Sequence, residues 1–78
     1  MPPMTPPRKR SLTVAGHRTS VTLEDAFWDA LVAIAAGRGE SVAALIARVD
    51  KSRPADVNLS SALRMFALDW YRAPAGPT

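Results

Sequence analysis

The residues of this 78-residue chain that carry the most hydrogen-bonding capacity in a regular arrangement are Arg18, Ser20 and Thr22. They alternate with Thr19, Val21 and Leu23, so a strand puts one guanidinium and two hydroxyls on one face and the more apolar set on the other. That face is donor and acceptor equipment, suited to recognising a polar partner. Bond-making chemistry has no comparable support. The chain has one histidine, His17, and no cysteine. It shows no paired carboxylates at a suggestive spacing and no loop that would cradle a phosphate. No catalytic residue, metal ligand set or cofactor is expected, and an enzyme is not.

The net charge of +3 is unevenly spread. Residues 1–18 hold Arg8, Lys9, Arg10 and Arg18 and no acid, while residues 19–78 hold six basic and seven acidic residues. Positive charge gathered at one end suits a polyanion, because phosphate neutralisation supplies most non-specific affinity for DNA. Hydrophobic residues make up 47% of the chain, which is short and has no cysteine to staple it. Small domains bury too little surface to be secure alone, so a core shared with a second copy is expected. No apolar run approaches the roughly 18 residues of a membrane span. The basic residues near the start have no apolar segment behind them, so no secretory leader is expected. The expectation is a cytoplasmic, nucleoid-associated homo-oligomer.

The elements that must position the polar face can be read in order. Residues 1–7 contain four prolines and, with Arg8-Lys9-Arg10, read as a disordered basic arm over residues 1–10. Ser11-Leu12-Thr13-Val14 alternates like a second short strand, but its apolar positions are even-numbered whereas Val21 and Leu23 are odd. Ala15-Gly16-His17 must shift the phase, with Gly16 free to take a positive φ. Either a bulged arm or a tight hairpin satisfies this. A first helix is predicted over about Glu24 to Ala36, with Phe27, Leu31 and Ile34 as its core stripe. Thr22 or Glu24 is its candidate cap, and Gly37-Arg38-Gly39 ends it. Ser41 caps a second helix from Val42 to about Arg53, striped by Val42, Leu45, Ile46 and Val49 and closed by Pro54. Asn58 caps a third, Leu59 to about Arg72. Residues 11–72 read as one folded domain and 73–78 as a disordered end.

Strand, helix, Gly39-Glu40-Ser41 turn and helix over Arg18–Arg53 resemble the ribbon-helix-helix superfamily, the group of the Arc and methionine repressors. The wording His17-Arg18-Thr19-Ser20-Val21-Thr22-Leu23-Glu24, with Ala26-Phe27-Trp28 and later Asn58-Leu59-Ser60-Ser61-Ala62-Leu63-Arg64, also resembles a smaller group of uncharacterised bacterial members. The resemblance implies a mostly α fold with a short β-ribbon, made by intertwined antiparallel pairing of strands in a homodimer, plus the extra third helix. It implies a dimer core of Val21, Leu23, Phe27, Leu31, Ile34, Leu45, Ile46 and Val49. It further implies a repressor of transcription that inserts its ribbon in the major groove of double-stranded DNA, with Arg18, Ser20 and Thr22 on base edges. Arg8, Lys9, Arg10, His17 and the helix start at Ser41, Val42 and Ala43 would hold the backbone. A hairpin at residues 11–14 would instead give that dimer a four-stranded sheet, too wide for the groove. Two other readings share the fold: an antitoxin whose residues 55–72 bind a toxin, and a protein adaptor without DNA. Surplus apolar surface on the third helix points towards assembly beyond two chains.

Overall fold

The structure is a computed structural model and describes residues 4–73. The disorder expected of residues 1–3 and 74–78 lies outside them. The elements run β1 (Arg8–Val14), β2 (His17–Leu23), α1 (Asp25–Gly37), α2 (Val42–Ser52) and α3 (Leu59–Arg72). The ribbon followed by helices agrees with the expectation, and the third helix has the predicted bounds.

Of the two arrangements open at residues 11–17, the hairpin forms. β1 and β2 pair antiparallel, with Val14 opposite His17, Leu12 opposite Thr19 and Arg8 opposite Leu23. Ala15 (φ 51°) and Gly16 (φ 82°) are both left-handed, as a two-residue type I′ turn demands. Such a turn always sets an even-numbered residue against an odd one. The phase shift in the sequence is therefore the hairpin itself. Leu12 and Val14 join Val21 and Leu23 on the inner face, against the helices. The strand also extends further than expected. Arg8, Lys9 and Arg10 belong to β1 and not to an arm, because their backbones pair with Leu23, Thr22 and Val21.

The helices start and stop on local chemistry. Neither candidate cap of α1 bonds it through a side chain; Glu24 sits at the N-cap with no such bond. At its other end Gly39 (φ 72°) lets the amides of Gly39 and Glu40 bond the carbonyls of Ala36 and Ala35, the paired closure of a glycine-terminated helix. Ser41 Oγ accepts the Ala44 N–H at 3.1 Å to open α2. Asn58 Oδ1 accepts the Ser61 N–H at 2.8 Å to open α3. Arg53 is already extended (ψ 147°), as the residue before Pro54 should be, so α2 stops one residue earlier than expected.

The core corrects the expectation that a lone chain lacks one. Val21, Leu23, Leu31, Ile34, Leu45, Ile46 and Val49 are buried within a single chain, and Phe27 is half-buried against them. The cover expected from a second subunit comes from the same chain. Val14 of β1 and Leu63 and Ala67 of α3 are themselves buried in that cluster. These residues need no partner to leave water.

Candidate nucleic-acid interface

Strand alternation and hairpin register together decide which side chains share the outer face. Opposite Arg18, Ser20 and Thr22 stand Thr13, Ser11 and Lys9. Cross-strand partners project to the same side, and all six residues are exposed. The three positions singled out in β2 do lie together. β1 doubles the set with two hydroxyls and an ammonium that strand reasoning on β2 alone misses. The phase change at Ala15-Gly16 was the available signal.

The basic residues divide. Lys9 is on the outer face, but Arg8 and Arg10 are on the inner one, where both donate to Oδ1 of Asp25 in the first turn of α1. The Arg10 guanidinium also lies 5.0 Å from the centre of the Trp28 ring, an arrangement that favours a cation over the ring face. Trp28 thus edges the core. The outward cations of the hairpin are Lys9 and Arg18. His17, opposite Val14, falls on the inner side by register, but it stands exposed beside the turn at the ribbon tip.

The open edge of β2 is partly occupied. The closing pair of a two-residue hairpin exchanges both backbone bonds and alternate pairs repeat this. Arg18, Ser20 and Thr22 therefore turn their amides and carbonyls away from β1. At Thr22 those groups meet α3: its N–H donates to Ser60 Oγ at 3.0 Å and its carbonyl accepts from Arg64 at 3.1 Å. Arg64 also donates through Nε to Glu24 at 3.0 Å and lies 5.9 Å from the Phe27 ring centre. One side chain so joins α3 to the strand edge and to the N-cap of α1. The Glu24 carboxyl is held below the usual carboxylate range, first by a bond from its own backbone and then by Arg64.

At the start of α2 the Ser41 hydroxyl is committed to Ala44. The amides of Val42 and Ala43 are the other first-turn donors that a helix leaves without internal partners. Glu40, just before them, accepts from Arg38 Nε at 2.8 Å and lies 3.6 Å from Arg48, so its charge is balanced locally. Trp70 packs with Phe66, ring centres 6.2 Å apart, beneath Arg38. Among the described residues no three His, Asp or Glu side chains converge as a metal site would require.

A family model described as a ribbon-helix-helix domain matches residues 7–71. No curated protein and no solved structure matches the chain.

Proposed function

We infer the function from kinship and surface together: the chain belongs to the ribbon-helix-helix domain family, whose members are typically DNA-binding regulators or antitoxins and generally not enzymes. We propose a sequence-specific DNA-binding regulator, acting as a repressor in the cytoplasm by occupying an operator. Arg18, Ser20 and Thr22, helped by Ser11 and Thr13, contact base edges in the major groove. Lys9, His17 and the amides of Val42 and Ala43 contact phosphates and set the register. No helix among the described residues is long and apolar enough to cross a membrane.

The observation that carries this reading is the single exposed face formed by both strands of one hairpin. Two strands fit the ~12 Å major groove. Joining two β2 edges from different chains would make a four-stranded sheet about 14 Å across its outer backbones. It would also have to displace Ser60 and Arg64 from Thr22. Each chain therefore supplies a complete ribbon, and two associated chains would address two half-sites. The burial of Leu63 and Ala67 in the chain's own core favours this over the antitoxin reading, which needs residues 55–72 as a tail for a toxin.

Selection from random duplexes followed by a salt titration tests the proposal. The expected result is an enriched motif, with affinity falling on a log–log plot by about 0.9 per phosphate neutralised. Binding to no duplex, or binding indifferent to salt and sequence, would instead favour the adaptor.

A further inference from the structure

Arg18, Ser20 and Thr22 share a face but are not held alike. All three turn their backbone edge away from β1. Among the described residues only Thr22 has that edge bonded by the protein, its N–H donating to Ser60 Oγ at 3.0 Å and its carbonyl accepting from Arg64 at 3.1 Å. We propose that Ser60 and Arg64 are positioning residues for Thr22, a role that rests on the hairpin being the base-reading face. By this role α3, which contributes none of the outer-face side chains, sets how sharply base pairs are told apart at the Thr22 end of the ribbon.

The Thr22 N–H and C=O belong to the two rigid peptide planes that flank its α-carbon. With both planes pinned, the direction of its Cα–Cβ bond is fixed. The support is itself firm. Ser60 and Arg64 stand one helical turn apart, on a helix that Leu63 and Ala67 anchor in the core. Arg64 Nε is braced at 3.0 Å by Glu24, the N-cap residue of α1. Thr22 needs such support more than Arg18 does. A guanidinium carries a planar fork whose own donor pattern matches guanine. A threonine hydroxyl donates or accepts and can bond either kind of base edge, so its selectivity comes from where it is held. Discriminating contacts need placement to within ~0.5 Å by supporting residues. Both bonds to Thr22 lie where water reaches, and a water that replaced either partner would satisfy the backbone without fixing it. Their loss therefore costs placement more than folding.

Two measurements test the proposal, the first without DNA. Amide hydrogen exchange of the full chain should show the Thr22 N–H protected relative to those of Arg18 and Ser20 on the same edge. Ser60→Ala should abolish that difference, and Ser60→Thr, which keeps the hydroxyl, should preserve it. A Thr22 amide that exchanges as fast as theirs in the parent chain would overturn the proposal. The second measurement is selection from random duplexes. Thr22→Val marks the base pairs that Thr22 reads, where a mismatch should cost the parent ~5-fold or more in affinity. Ser60→Ala and Arg64→Ala should each remove that penalty while the rest of the motif and the salt slope stay unmoved. Ser60→Thr should restore it, and Ser60→Ala added to Thr22→Val should alter the motif no further. A parent chain that selects no motif defeats the base-reading role of the hairpin, and this role with it. A parent motif indifferent to Thr22→Val, left intact by both Ser60→Ala and Arg64→Ala, or lost with both over its whole length overturns the positioning role alone.

Discussion

Leu63→Ala should destabilise the chain by ~2–5 kcal/mol, the usual cost of truncating a fully buried leucine. Leu63 is on the helix most easily mistaken for an appendage, yet none of its surface reaches water. Its side chain helps cover the cluster that includes Leu23, Leu31 and Ile46. Domains of this size rest on only ~0.05–0.15 kcal/mol per residue, so the loss consumes much of the total. Each kcal/mol shifts Tm by ~4–8 °C in a domain of 60–100 residues, which puts the expected drop at ~8 °C or more. Asp56→Ala, in the exposed link before α3, serves as a control and should change stability by no more than ~0.5 kcal/mol. Thermal and urea unfolding followed by circular dichroism read both. A Leu63→Ala protein as stable as its parent would mean that α3 is not part of the folded unit, and the antitoxin reading would then gain.

The second large effect is on DNA. Arg18→Ala should reduce discrimination between a selected duplex and a random one by ~1–3 kcal/mol, or roughly 5- to 150-fold, the worth of one bidentate base contact. Lys9→Ala should instead weaken all duplexes alike and lower the salt slope by about one phosphate. Arg10→Ala should do neither. Its guanidinium is committed to Asp25 and Trp28, so its removal should appear as lost stability on the order of 1 kcal/mol. Competition binding at two salt concentrations separates the three variants. Equal behaviour of Lys9→Ala and Arg10→Ala would show that the basic run acts as one flexible arm.

That division among neighbours is not legible in the local sequence. Alternation fixed the faces of β2, and helical spacing with Ser41 and Asn58 as caps gave α2 and α3 nearly to the residue, because those signals are local. The hairpin was only half visible. The parity change between Leu12 and Val14 and Val21 and Leu23 required a phase shift, but Ala15 is an unusual residue for a left-handed turn position, so a bulge remained equally compatible. The inward course of Arg8 and Arg10 was not legible, because arginines next to a proline-rich lead-in look solvated. The hairpin register puts them on the inner face, and the carboxylate that meets them there, Asp25, is on another element. The same holds for Ser60 and Arg64. Their bonds to Thr22 cross some forty positions of chain, and nothing in the local pattern around either residue announces them. The burial of the core within one chain is not legible for a related reason: composition counts apolar residues but does not show that β1 and α3 fold back over them.

The proposed reading surface is made by two strands of one molecule. Titrating the ¹⁵N-labelled chain with a selected duplex and following its amide resonances tests this most directly. Perturbations are expected on both strands together, at Lys9, Ser11, Thr13, Arg18, Ser20 and Thr22, with Met65 to Tyr71 little changed. Perturbations confined to α3, or to β2 with the β1 positions silent, would contradict it.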